Sequence, residues 1–332
     1  MNLAELSTPA LLIDADAFDR NLASMASVHP GARLRPHVKA HKCTALAAAQ
    51  QAAGHSTFTC ATPREVVGMA AAGVGDELLL ANETVDPARL RAMAECDTAV
   101  LVAVDSDETV SAAAAAGITA CLVDVNVGLP RCGISPDRAG RLADTARSAG
   151  LEVRGVMGYE GHLMMVADRN EQRAQVEQSM ELLVRAHGDV GGDIISAGGT
   201  GTFDLHDRTG ITELQAGSYV VMDTHYGQQG LPFEQALFVL GTVISVSDTW
   251  AVADVGLKAL GMDHGNPDVV DGKVWFCSDE HLTFAPSSPV SVGDRVRVVP
   301  AHVDPTMAMH EAAWLVRGDE VIDRWPIDLR GW

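Results

Sequence analysis

From residue 33 to residue 216, short apolar segments ending in polar residues or glycine alternate with alanine-rich stretches. The apolar segments are 33–39 (RLRPHVK), 56–60 (STFTC), 77–81 (ELLLA), 99–104 (AVLVAV), 119–125 (TACLVDV), 153–158 (VRGVMG), 193–197 (DIISA) and 212–216 (TELQA). Between them, 43–53, 63–72, 86–95, 107–116, 136–149 and 169–187 read as helices. Strand–helix–strand alternation implies a parallel sheet with helices outside it. Eight such units in about 220 residues fit a closed (β/α)8 barrel better than an open sheet. After about residue 236 the pattern changes to short β-rich segments at 238–247, 250–255, 273–277, 294–299 and 313–317, punctuated by turn signals at 271–272, 292–294 and 317–320. The expected architecture is α/β: a barrel over 10–235, then a smaller all-β domain over 236–332. Residues 1–9 could pair with the second domain. The segment TPALLIDAD could add a strand there or begin the barrel.

Composition narrows the function classes. The 332 residues are 47% hydrophobic, enough for a large buried core, and the formal charge of −20 argues against a nucleic-acid or anionic-membrane surface. No apolar run reaches the roughly 18 residues of a membrane helix. The first residues carry acids where a signal peptide needs bases. Six cysteines without CxxC spacing read as reduced thiols. These features predict a soluble cytoplasmic protein with no nucleic-acid or membrane partner.

Only four lysines occur, and two of them, Lys39 and Lys42, lie in PHVKAHK at 36–42. Barrel enzymes carry reactive groups at the carboxyl ends of strands, where Lys39 falls. An amine in a partly desolvated mouth near other cations has its pKa lowered and can attack a carbonyl. His37 and Arg35 would share its strand face, and Lys42 would begin the next helix, solvated. The alternative is an arginine-preferring genome that left two surface lysines by chance. After the seventh expected strand comes AGGTGTF (197–203). Glycines such as Gly199 and Gly201 let backbone N–H groups approach a phosphate, and Thr200 and Thr202 add hydroxyl donors. On that reading Gly201→Val weakens cofactor retention far more than folding. The next loop offers Gly217, Ser218 and Tyr219. Loops after strands seven and eight are where barrels bind phosphate, although a plain turn has the same glycines. A lysine and a phosphate site at one mouth suggest pyridoxal phosphate and an amino-acid substrate.

RPHVKAHK is similar to the cofactor-lysine motif RPHxKTHK of the D-serine dehydratase and D-threonine aldolase family, with Ala40 where many members have Thr. TPALLID, DVNVGLPRCGI (124–134), GYEGH (158–162), the glycine loop and AHVDPT (301–306) follow the family's order, so the resemblance covers nearly the whole chain. It implies the alanine-racemase-like fold and pyridoxal phosphate on Lys39. It also implies Arg131 at the cofactor's phenolic oxygen and Tyr159 at its ring. His162 is either an acid/base group or an ordinary hydrogen-bonded histidine. The chain is expected to be a homodimer. His302 and Asp304 are two apart on what reads as an extended segment, which would point both side chains one way, a spacing that suits a divalent metal. Family dehydratases have His-x-Cys there and aldolases His-x-Asp. The harder carboxylate favours manganese or magnesium over zinc. The resemblance therefore implies an aldolase splitting D-3-hydroxy amino acids into glycine and an aldehyde, a carbon–carbon lyase. The rivals are a dehydratase on the same scaffold, a racemase, or a non-catalytic pyridoxal-phosphate carrier.

Overall fold

The computed structural model of the protein describes residues 1–331. Trp332, the last residue of the expected second domain, lies outside the described residues. The chain divides into two compact units. One combines Met1–Ser24, Ala40–Leu46 and Ser218–Arg330; the other combines Met25–Lys39 and Ala47–Gly217 with Gly331.

The first strand, β1 (Ala10–Asp14), belongs to the former. In the latter, β2 (Thr57–Cys60), β3 (Glu77–Leu80), β4 (Ala99–Val104), β5 (Ala120–Asp124), β6 (Glu152–Met157), β7 (Ile194–Ala197) and β8 (Glu213–Leu214) form a seven-stranded parallel sheet in sequence order. The connecting helices Pro63–Ala71, Pro87–Ala94, Asp107–Ala116 and Arg169–Val190 start at Thr62, Asp86, Ser106 and Asp168, whose side chains accept first-turn N–H groups. Each such cap contributes about 1 kcal/mol. Leu79, Leu101, Leu122, Met157 and Ile194 form one buried cluster, each at 6% exposure or less.

The expected first barrel strand, 33–39, is not a strand. Gly31–Arg33 and Val38–Ala40 are single 3-10 turns. Between them Leu34 bridges Leu214 of β8 and His37 bridges Thr59 of β2, both parallel. The N–H groups of Arg35 and His37 donate to Leu214 and Ala216 at 2.9 and 3.0 Å, and Thr59 N–H donates to the Pro36 carbonyl at 2.9 Å. These bonds close the ring through the eighth position. Pro36 has no N–H for the β2 side, so the ladder stays interrupted there.

Arg35 also departs from expectation. It is buried where the strands begin, not beside the amine where they end. Its Nε donates to Glu213 and its Nη2 to Glu77, both at 2.7 Å. Glu77 also accepts from Arg154 at 3.1 Å, and Arg154 holds Asp193 through two bonds of 2.9 Å. Barrel residues at this end serve stability.

The other unit is strand-rich. β9 (Leu237–Val246), β10 (Ala251–Ala253), β11 (Asp268–Val269), β12 (Gly272–Cys277), β13 (Leu282–Pro286), β14 (Arg295–Val299), β15 (Ala312–Arg317) and β16 (Glu320–Pro326) join β1 in a nine-stranded sheet. β1 lies between β9, antiparallel with Leu12 opposite Phe238, and β15, parallel with Leu12 opposite Trp314. The opening segment thus adds a strand to this sheet. Strands β11, β13 and β16 were not expected, and the region is not all-β, because Val303–Met309 is a helix. No helix of the described residues is long and apolar enough to cross a membrane.

Candidate active site

Lys39 is the middle residue of the turn Val38–Ala40, immediately after the ring-closing segment, and is half-buried. Its N–H donates to Nδ1 of the half-buried His37 at 3.4 Å. Lys42 precedes the helix Thr44–Ala52 with φ at 48° and is half-buried, less solvated than expected.

Arg131 follows β5 and Tyr159 follows β6. The Arg131 guanidinium carbon lies 5.4 Å from the Tyr159 ring centroid, and the pair lines a small cleft with Asn126, Val127 and Leu129. A Cβ on Gly199 would stand 3.5 Å from the Tyr159 ring and 2.9 Å from the Met164 sulfur, so backbone fills a space that a side chain would occupy. The structure thus brings Arg131, Tyr159 and Gly199 together, an arginine, an aromatic face and a side-chain-free turn that fit a flat phosphorylated ring. His162 is exposed, and its ring covers Gly128 so closely that a Cβ there would lie 2.8 Å from Cε1. Gly217 closes the barrel unit. Ser218 and Tyr219 belong to the other unit in the turn Ser218–Val220, with the buried Tyr219 ring 5.6 Å from Phe233.

The glycine turn is tightly held from within. Gly201 is glycine because a Cβ would meet the Met164 carbonyl oxygen at 2.4 Å. The chain's own packing excludes a side chain there, so Gly201→Val disturbs the fold as well as any ligand. Thr202 is buried, its hydroxyl donates to Glu160 at 2.8 Å, and it accepts the Gly199 N–H at 3.3 Å.

Two neighbouring features escape sequence reasoning. Glu83, Asp105 and Cys132, from three loops beyond β3, β4 and β5, bring ligand-type atoms within 4.8 Å of one another. Next to them burial, followed by the charge and hydrogen bond of Glu83, holds the Asp124 carboxyl well above the usual range. The Glu83 hydrogen bond, with burial, pushes the Cys132 thiol up to about 12. The other feature is Glu160 with His206, beneath the glycine turn.

In the strand-rich unit, His302 caps the helix Val303–Met309 from an extended backbone and Asp304 sits in its first turn, so the segment is not extended throughout. Pro305 belongs to that first turn, where no N–H is needed. Asp223 Oδ2 accepts the Val303 N–H at 2.9 Å, fixing the helix start from elsewhere in the chain. Burial raises the Asp223 carboxyl above its ordinary range against these hydrogen bonds. His302 Nε2 and Asp304 Oδ2 still come within 3.7 Å. His302 Nδ1 donates to Asp263 Oδ2 at 2.7 Å, which keeps the proton on Nδ1 and leaves Nε2 available to a metal. The His264 ring stacks on His302 at 3.9 Å, and His225 lies 4.2 Å beyond. Burial, then the neighbouring imidazoles, lower the His264 pKa, which favours the neutral ligand form. Gly261 N–H donates to Thr306 at 2.9 Å, fastening the loop that carries Asp263 and His264 to the helix. Asp263, His264 and His302 offer atoms within 4.8 Å of one another, a nitrogen and oxygen donor set that fits a divalent ion. The only sequence signals for the added residues are MDHG (262–265) and DTHYG (223–227), Asp and His close together before glycine.

Comparison with known proteins finds two family models along the chain. Residues 13–225 match the family model "Alanine racemase, N-terminal domain" and residues 236–316 match "Putative serine dehydratase domain". The chain is similar to the D-threonine aldolase of Arthrobacter sp, at 36% identity over 99% of this chain and 94% of that one. It is similar to the 3-hydroxy-D-aspartate aldolase of Paracoccus denitrificans (strain Pd 1222), at 34% over 100% and 94%, and to the D-threo-3-hydroxyaspartate dehydratase of Delftia sp. (strain HT23), at 30% over 99% of both. Among solved structures, the D-threonine aldolase from Filomicrobium marinum superposes with a TM-score of 0.94 at 34% identity, covering 100% of this chain and 98% of that one.

Proposed function

For a chain that belongs to the D-threonine aldolase and D-serine dehydratase family, a pyridoxal-phosphate lyase built on the alanine-racemase barrel, we propose an aldolase that cleaves D-3-hydroxy amino acids to glycine and an aldehyde with the help of a divalent metal. The enzyme is a carbon–carbon lyase. The observation that carries the finer reading is the carboxylate of Asp304 beside His302 Nε2, an oxygen donor where a dehydratase of the family has a thiol.

Lys39 would hold the cofactor's aldehyde, Arg131 its phenolic oxygen and Tyr159 its ring face. Its phosphate would lie on the turn with Gly199, Thr200, Gly201 and Thr202, where the Gly199 N–H and the Thr202 hydroxyl are engaged within the protein, together with Gly217, Ser218 and Tyr219. When bound, pyridoxal phosphate supplies an electron sink for the electrons released as the Cα–Cβ bond breaks. His302 and Asp304, with Asp263 and His264 beside them, hold the metal, and a bound metal supplies Lewis acidity toward the substrate's 3-hydroxyl. Manganese or magnesium suits the oxygen-rich set better than zinc. His162, exposed over Gly128, takes the hydroxyl proton on an imidazole nitrogen. The reading assigns cofactor chemistry to residues 10–235 and the metal to 236–332.

We place the enzyme in the cytoplasm, where its free cysteines stay reduced. We also propose a homodimer, for which the exposed Trp250, Trp275 and Phe276 offer apolar surface. Sedimentation equilibrium decides that point, and a monomer would refute it.

The dehydratase reading is favoured by one relative of that name. Product analysis separates the two. D-threonine or D-phenylserine should yield glycine and an aldehyde, with activity lost in chelator and restored better by manganese than by zinc. Ammonia released from D-serine or D-3-hydroxyaspartate as fast as glycine from D-threonine would overturn the aldolase reading.

A further inference from the structure

Beneath the glycine turn lies a carboxylate with no part in the chemistry above. Glu160 is wholly buried at the middle of the segment GYEGH, and its two oxygens reach opposite ends of one turn. Oε2 accepts the Gly198 N–H at 3.2 Å, and Oε1 accepts the Thr202 hydroxyl at 2.8 Å. His206 Nε2 adds a third contact, 3.2 Å from Oε1. Thr202 in turn braces Gly199 twice, accepting the Gly199 N–H at 3.3 Å and donating its own N–H to the Gly199 carbonyl at 3.2 Å. Gly198 has φ at +85°, and a Cβ there would meet Leu214 at 2.3 Å and the His206 ring at 2.9 Å, so the turn presses directly on this network.

A buried negative charge under an anion-binding turn opposes the anion unless protein groups absorb it. Here they do. Burial works against the charge, yet the hydrogen bond and charge of His206, with the Thr202 hydroxyl, hold the carboxyl below the usual range. The donors at 198 and 202 are drawn inward, fastening both ends of the turn. A turn fixed in advance loses less conformational freedom when a ligand arrives.

We propose that Glu160 is a positioning residue for the cofactor's phosphate: without touching it, the carboxylate clamps Gly198 and Thr202 and so sets the selectivity of the apoenzyme for pyridoxal 5′-phosphate over pyridoxal. This rests on the glycine turn receiving the phosphate, as stated above.

The test is titration of apoenzyme with pyridoxal 5′-phosphate and, separately, with pyridoxal, following tryptophan fluorescence. Glu160→Gln should weaken the phosphorylated ligand by roughly tenfold to hundredfold, the effect of losing a charge-assisted hydrogen bond, and leave pyridoxal unchanged. If Glu160→Gln does not fold, Thr202→Val removes one arm of the clamp and Thr202→Ser restores it; selectivity should fall in the first and return in the second. Equal weakening of both ligands would mean general damage and would overturn the proposal. Thr200→Val isolates the underlying reading. If it lowers selectivity while Glu160→Gln and Thr202→Val do not, the phosphate turn stands and the clamp fails. If it leaves selectivity intact, the phosphate assignment fails and the clamp with it.

Discussion

Where the barrel strands begin, Arg35 meets Glu213 and Glu77 at 2.7 Å each, and Arg154 extends the chain of opposite charges to Asp193. Where they end, the Asp124 carboxyl faces that of Glu83, with burial and the Glu83 charge favouring its protonated form, and Arg131 lies over the Tyr159 ring. The same residue types serve opposite purposes. At the first end, each charge is paired with its opposite within the fold, so the network serves stability. At the second, two carboxyl groups are held together at the cost of a perturbed proton affinity, which a fold tolerates where a ligand is to be met.

The comparison breaks most visibly at Lys39. With pyridoxal phosphate present, the wild type should absorb in the yellow region, and borohydride should attach the cofactor at Lys39, as read by peptide mass spectrometry. Lys39→Ala should lose the attachment completely, and Lys42→Ala should keep it. A label on any other lysine refutes the assignment.

At the opposite end, Arg35→Met leaves the buried Glu213 and the half-buried Glu77 facing an apolar chain. Urea unfolding should show a loss of about 3–5 kcal/mol, while cofactor attachment to the folded fraction stays normal. Lost attachment with unchanged stability would reverse the roles of the two ends.

A smaller effect is expected in the strand-rich unit, where Asp263 does for a proposed metal ligand what Glu77 does for Arg35. Asp263→Ala should raise the dissociation constant for manganese by roughly tenfold to hundredfold in calorimetry, because His302 loses the acceptor that fixes its tautomer. An unchanged constant removes Asp263 from the site.

The smallest effect concerns Asp124. Its folded pKa is raised, so the folded state holds that proton more tightly than the unfolded one. The group's cost is therefore absent at acid pH, grows as pH rises above the ordinary carboxylate range, and is complete above the raised value. Asp124→Asn should match the wild type near pH 4 and exceed it by about 1 kcal/mol near pH 8 in denaturant titrations, with lower activity. A stability gain independent of pH would assign the effect to packing.

Much of the barrel is legible in sequence because apolar strand runs alternate with capped helices, as at 99–104 and 107–116. The ring-closing segment is not, since Pro36 and two 3-10 turns break a run whose composition reads as extended. His302 and Asp304 were legible as a pair, but their helix was not, because its start is fixed by Asp223 about 80 residues earlier. Glu160, His206, Asp263 and His264 share that difficulty. Each acts through a partner about 40 residues away, and neither periodicity nor spacing carries that distance.

The place of β1 has a consequence for how the protein is made. This strand, ALLID, is synthesised well before both its partners, β9 and β15, which lie beyond residue 236. At about 5–20 residues per second, an apolar segment of the nascent chain waits on the order of 10 to 60 s for its neighbours. The barrel strands, paired with their successors in order, face no such delay. The segment ALLID therefore stays unpaired while the barrel strands are made, and the length of that exposure is set by the order of elements along the chain.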